Sequence, residues 1–123
     1  MADAEKLVFM VLHGPSHPEH ATIPFVMAAA ALASDVQVVM GFQADGVELM
    51  RVGGAEAVEA PGFPPLKKLV DDVRELGGTL LVCGPCLKSR DITAPDDLIE
   101  GAEVVAAGRF VAEITSATNS LVY

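Results

Sequence analysis

Tryptophan is absent from this 123-residue chain, and there is one tyrosine. Basic residues are scarce: 8 Lys and Arg stand against 17 Asp and Glu, for a net charge of −9. No basic stripe exists, so binding along a phosphate backbone is excluded, and no nucleic-acid partner is expected. The longest apolar stretches, Leu7 to Leu12 and Ile23 to Ala33, fall far short of the ~20 residues that span a bilayer. The start, Met1-Ala2-Asp3-Ala4-Glu5-Lys6, is acidic and does not resemble a secretory signal. A cytoplasmic protein with no membrane span is therefore expected. Phosphate-cradling fingerprints are missing as well: neither GxGxxG nor GxxxxGK[ST] occurs. Gly53-Gly54 and Gly77-Gly78 read as turns. Ser16, Ser89 and Ser116 lack a nucleophile-elbow context.

Ala, Val and Leu are plentiful; 51% of the residues are hydrophobic. Such a composition suits buried parallel strands under close-packed helices, and in a short chain it points to a subunit interface. The length is that of one domain, residues 1–123. Continuous apolar runs at Leu7–Leu12, Val36–Met40, Thr79–Cys83 and Glu103–Ala107, with a last short run at Ser120–Tyr123, read as strands. Between them, helices are expected from Pro18 to about Ser34, with Pro24 inside, from Pro64 to about Leu76, and from Gly108 to Ala117. The last should turn Phe110, Val111 and Ile114 inward. Short helices are expected at Asp45–Met50, Cys86–Arg90 and Pro95–Ile99, and a loop from Val52 to Phe63. The alternation predicts an α/β fold: one mostly parallel five-stranded sheet with helices on both faces. Chemistry in such sheets gathers at the carboxyl ends of the strands. His13 follows the first strand and Cys83 ends the third.

The two cysteines form Cys83-Gly84-Pro85-Cys86. A CxxC pair can close a disulfide, supply half a zinc site, or hold one activated thiolate. A structural zinc site needs four ligands, and no second CxxC exists. The tetrapeptide is that of thioredoxin, but no Trp precedes Cys83 and 37 residues are too few for the rest of that fold. Lys88 and Arg90 follow closely; with the backbone N–H groups of a short helix, they would stabilise a thiolate or persulfide anion. The plainer alternative is a buried strand cysteine. All three histidines, His13, His17 and His20, fall in one loop stiffened by Pro15 and Pro18. A metal site is one reading of this loop; a polar segment capping the next helix is the simpler one. In a third, His13 lies near Cys83 and tunes it. Asp71-Asp72 and Asp96-Asp97 read as solvated helix faces.

Three segments together resemble the DsrE/DsrF-like family. They are the strand, Pro-Glu loop and Ala-rich helix at the start; Val38-Val39-Met40-Gly41-Phe42 followed by Asp45-Gly46-Val47; and Gly77-Gly78-Thr79-Leu80-Leu81-Val82-Cys83 with Arg90 seven residues on. The resemblance implies a compact parallel-sheet domain that assembles into homo-oligomers, trimers first and hexamers second. It implies that Cys83 accepts sulfane sulfur as a persulfide and passes it to a partner thiol, often a small TusA-like carrier. By position Cys86 matches a second cysteine of some members. Asp91 stands where Gly is usual, and the histidine loop is not general to the family. The functional expectation is thus sulfur carriage on Cys83, with Cys86 as a second thiol, His13, Lys88 and Arg90 as anion-stabilising groups, and no cofactor or resident metal. A non-enzymatic oligomer binding a small ligand or metal, and a CxxC dithiol redox protein, are the alternatives.

Overall fold

The computed structural model describes residues 4–123; Met1-Ala2-Asp3 of the acidic start lie outside them. Five strands, β1 (Lys6–Val11), β2 (Gln37–Phe42), β3 (Thr79–Cys83), β4 (Ala102–Val105) and β5 (Asn119–Val122), form one sheet in the order β4-β3-β2-β1-β5. Every neighbouring pair is parallel. Helices α1 (Pro18–Ala33), α2 (Leu66–Glu75), α3 (Gly84–Lys88) and α4 (Ala107–Thr115) link the strands. This is the expected α/β architecture.

Alternation along each strand divides the core. Phe9, Val11, Val38, Met40, Phe42, Leu80 and Val82 point to one face, where Ala21, Phe25 and Ala28 of α1 and Leu66, Leu69, Val70 and Val73 of α2 cover them. Small Ala side chains let α1 approach closely, and the spacing of α2's apolar residues gives it one buried stripe. The opposite face is thinner: Val8, Met10, Val39 and Leu81 pack on Phe110 of α4. α1 starts with Pro18 in its first turn and continues through Pro24, which is buried. Gly77, at φ +93°, ends α2 as the glycine doublet requires.

Two local expectations are corrected. In α4, Phe110 is 4% exposed, but Val111 and Ile114 are 59% and 37% exposed. The stripe that meets the sheet is Phe110, Glu113 and Ala117. The carboxylate of Glu113 is drawn inward by Lys6 of β1 and by Arg109, and this rotates Val111 and Ile114 outward. The segment Pro95–Ile99 is a series of turns, not a helix. Its backbone is engaged elsewhere: Leu98 bridges Arg51, Val52 N–H donates to Asp97 O at 2.8 Å, and Ile99 N–H donates to Met50 O at 2.9 Å. The segment at 45–50 is a 3-10 helix, Ala44–Met50, and the loop after it holds one further 3-10 turn, Ala55–Ala57. As expected, Asp71 and Asp72 lie on a solvated face, each paired with a lysine one turn earlier.

Candidate functional site

β3 delivers Cys83 to the carboxyl edge of the sheet, and α3 begins at the next residue. Cys83 is therefore the N-cap of α3, and Cys86 follows one turn later. Pro85 stands in the first turn, where its missing N–H costs nothing. Both thiols are free and half-buried. Helix α3 starts two residues before the expected Cys86, because Gly84 and Pro85 already take helical conformation.

The turn after α3 fixes its direction. Asp91 N–H donates to Lys88 O at 3.2 Å and Ile92 N–H to Leu87 O at 3.0 Å, with Asp91 at φ +56°. This is a Schellman ending, whose left-handed position favours glycine. This chain forms the turn with Asp91, a non-glycine residue, in that strained position.

Two polar contacts come from a distant segment. Ala44 N–H donates to Cys86 Sγ at 3.3 Å. Arg90 Nη2 donates to Asp45 Oδ1 at 2.7 Å, while Nη1 donates to Cys86 O and to Ser89 Oγ, each at 3.2 Å. Arg90 thus ties α3 to the 3-10 helix. Asp45 holds its guanidinium more firmly cationic than usual. The Cys83 thiol is pushed above its ordinary range, first by burial and next by the neighbouring Cys86 thiol. The Cys86 backbone N–H pulls the other way without closing a full cap, and Arg90 has the weakest influence. Lys88 is exposed on the last turn of α3. It lines a groove of about 330 Å³ with Gly84, Leu87, Asp91, Ile92 and Val104; neither sulfur lines this groove.

His13 lies two strands away, after β1. The 3-10 helix that follows β2 stands between it and the thiols. Its backbone meets the histidine loop closely: a Cβ on Gly14 would lie 2.4 Å from Asp45 O. His13 joins His17 and His20, with ring centroids 5.1 and 4.9 Å away, instead of the cysteines. The capping reading of this loop does not hold, since His17 is the N-cap of α1 and no side chain caps it. The structure therefore groups Cys83, Cys86 and Arg90, leaves Lys88 at the rim, and places His13 in a second cluster. Sequence reasoning missed Ala44 and Asp45. No local pattern links Asp45 to Arg90, which are 45 residues apart.

A family model described as the DsrE/DsrF-like family matches residues 5–123. An uncharacterized protein of Methanocaldococcus jannaschii, MJ0760, is 30% identical over 107 residues; the match covers 87% of this chain but 38% of that protein. A second from the same organism, MJ0989, is 27% identical over 96% of this chain and 99% of its own length. Two solved structures share the fold. The E. coli ychN protein superposes with a TM-score of 0.78 at 17% identity, covering 97% of this chain and 99% of its own. MTH1491 of Methanobacterium thermoautotrophicum, a protein of unknown function, gives 0.71 at 18% identity over the same shares.

Proposed function

We propose, since the chain belongs to the DsrE/DsrF-like family, that it is a sulfur carrier whose Cys83 takes up sulfane sulfur as a persulfide and passes it to a partner thiol. One observation carries the reading: Cys83 ends a buried strand at the sheet's carboxyl edge, half-buried, with a second free thiol one helical turn on. Loading is an exchange in which the Cys83 thiolate attacks the outer sulfur of a donor persulfide. The Cys83 S–S bond forms, the donor S–S bond breaks, and the donor leaves as its thiolate. Transfer repeats the exchange with the acceptor thiolate as nucleophile. In this reading Cys86, a free thiol one helical turn on, is the second thiol of the site. It is also placed to resolve an unused persulfide: its thiolate attacks the Cys83 sulfur, the disulfide forms and hydrosulfide leaves.

In this reading the chain works in the cytoplasm as a homo-oligomer, a trimer or hexamer, with a TusA-like carrier as the thiol partner. Assembly is supported by the sheet face that, among the described residues, α4 alone covers, where Val111 and Ile114 remain exposed. No helix among the described residues is long and apolar enough to cross a membrane.

The test is intact-protein mass spectrometry after incubation with polysulfide, or with thiosulfate and a sulfurtransferase. A gain of one sulfur atom is expected, absent in Cys83→Ser and retained in Cys86→Ser. Failure to load under all these conditions would overturn the reading. Two free thiols one helical turn apart favour one second reading, a dithiol–disulfide couple. It requires a reversible Cys83–Cys86 disulfide of defined potential that persists when persulfide loading is blocked.

A further inference from the structure

The thiol chemistry leaves the histidine loop unused. His13, His17 and His20 nonetheless converge, with ring centroids 5.1, 4.9 and 6.2 Å apart. His17 and His20 are three residues apart at the start of α1, so they share a helix face. His13 reaches them from the end of β1. Its Nδ1 is buried and, among the described residues, has no hydrogen-bond partner. A buried ring nitrogen left unpaired costs about 1–3 kcal/mol, a cost that a ligand engaging it would offset. Its place in the sheet is also particular. From β1 the chain proceeds through α1 to β2 on one side, while β5, reached from the far edge through α4, flanks β1 on the other. The order of strands therefore reverses at β1. Ligands of open parallel sheets bind at such a reversal, outside the carboxyl ends of the strands.

We propose that His13, His17 and His20 bind one divalent first-row transition ion of the class that imidazole suits, with Zn²⁺ as its representative. A zinc–imidazole bond of about 2.0–2.1 Å places each ring centre about 3.2 Å from the metal, and a tetrahedral spread then sets the centres about 5.2 Å apart. Two of the observed separations lie within a few tenths of an ångström of that value and the third is about 1 Å longer. The donor atoms are not yet gathered: among the described residues no three His, Cys, Asp or Glu side chains surround a common point. Binding requires His17 to leave Ser16 Oγ, which its Nδ1 meets at 3.1 Å, and the His17 and His20 rings to rotate. Both residues are exposed, so side-chain torsions can move them without moving the backbone. Three protein ligands leave a fourth position for water or an exogenous anion. The positive end of α1 opposes a bare cation, which favours an anion in that position.

The experiment uses the untagged full chain, stripped of metal by a chelator. Zn²⁺ is titrated by calorimetry and Co²⁺ by visible absorption. The expected result is one ion per chain and a tetrahedral Co²⁺ spectrum without thiolate charge transfer. His17→Ala and His20→Ala should each weaken Zn²⁺ binding by at least about tenfold, the lower range for losing even an outer-sphere partner. The Cys83→Ser/Cys86→Ser double variant should bind as the parent does. Metal-free Tm should be unchanged in both histidine variants, and added Zn²⁺ should raise Tm only where the three rings are intact. The proposal is overturned if the parent chain shows no saturable binding. It is also overturned if His17→Ala/His20→Ala binds as tightly as the parent, or if binding disappears with the cysteines. Persulfide loading of Cys83 is measured separately, so failure of one reading does not entail failure of the other.

Discussion

Gly46 is where the two loops of the sheet edge are pinned together, and replacing it with Ala should damage both stability and the thiol site. An ideal Cβ on Gly46 would stand 2.1 Å from Val11 O and 2.8 Å from Val11 C. Carbon and oxygen rest at about 3.3 Å, so the new methyl would overlap by roughly 1.2 Å. The obstacle is backbone. Val11 is paired with Phe42 in the β1–β2 ladder, and its carbonyl accepts Gln43 N–H at 3.1 Å. Gly46 is not in the left-handed region, so the effect is steric and not conformational. Overpacking against so rigid a wall belongs at the top of the usual range, about 3 kcal/mol. For a domain of this size 1 kcal/mol moves Tm by about 3–5 °C, so a fall of about 10 °C is expected. Gly108→Ala is the control. Among the described residues nothing lies within 4 Å of its Cβ position, and it sits in α4, where Ala is favoured over Gly by up to about 1 kcal/mol. Its Tm should stay level or rise by a few degrees. Thermal unfolding of the reduced protein by circular dichroism decides the matter. The displaced segment carries the Ala44 N–H and the Asp45 carboxylate, so alkylation of the cysteines should also accelerate in Gly46→Ala. Equal Tm shifts for the two variants, or a Gly46→Ala chain within 1 °C of the parent, would refute the reasoning.

Asp91→Gly should stabilise the chain by about 0.5–1 kcal/mol by relieving the left-handed residue, and Asp91→Val should destabilise it; urea midpoints give both signs. Glu113 is held below the usual carboxylate range, first by Lys6 and then by Arg109, so its contribution is present above the unfolded carboxyl pKa and is lost as pH falls through the folded one. Glu113→Gln should therefore cost about 1 kcal/mol at pH 7, after solvent screening, and the gap to the parent should close in acid; denaturation at both pH values checks this. Because Cys83 is raised, its neutral form supports the fold below the unfolded thiol pKa, and that support fades as pH climbs through the folded value. The pH midpoint for alkylating Cys83 should lie above that of a free thiol and should fall in Cys86→Ala, which removes the second-largest cause; a parent midpoint below the free thiol's would contradict the structure.

The core strands were legible because each side of them is buried. β3 runs from Thr79 to Cys83 as the apolar run predicts, and α2 follows its repeat of Leu66, Leu69, Val70 and Val73. What escaped sequence reading was long-range charge pairing. The rotation of α4 depends on Lys6 meeting Glu113, 107 residues later, and apolar periodicity places Val111 and Ile114 inward as readily as Glu113. The turns at 94–97 are tied to residues 50–52 by the bonds Val52 N–H to Asp97 O and Ile99 N–H to Met50 O, a choice local propensity does not encode. At the candidate site, the position of Cys83 at a strand end was readable, whereas the left-handed turn at Asp91 came only from the structure. The partner of Arg90 was not: the sequence presents a cation near a thiol, and only the fold brings Asp45 in to engage it. The histidines were visible as a group, but their spacing of four and three residues does not reveal that the end of β1 brings His13 onto the same face.

The raised Cys83 thiol bears directly on the proposed relay. Burial is its main cause, and burial penalises charge at Sγ itself. Cys83 packs against the hydrophobic clusters on both faces of the sheet, so the open side of its sulfur leads away from the core. A persulfide carries its negative charge on the outer sulfur, about 2.05 Å farther along that open side. The same wall that disfavours the resting thiolate therefore weighs less on the loaded anion. Arg90 does not remove this asymmetry, because Asp45 holds it and its influence on Cys83 is the smallest of those acting. In the proposed relay, loading would therefore move charge off the buried sulfur without a cation directed at it. Titration of the persulfidated chain should place the S–SH group below the Cys83 thiol of the unloaded chain by more than the same difference in a solvent-exposed cysteine peptide. An equal difference would mean that burial acts alike on both sulfurs and that the wall contributes nothing to loading.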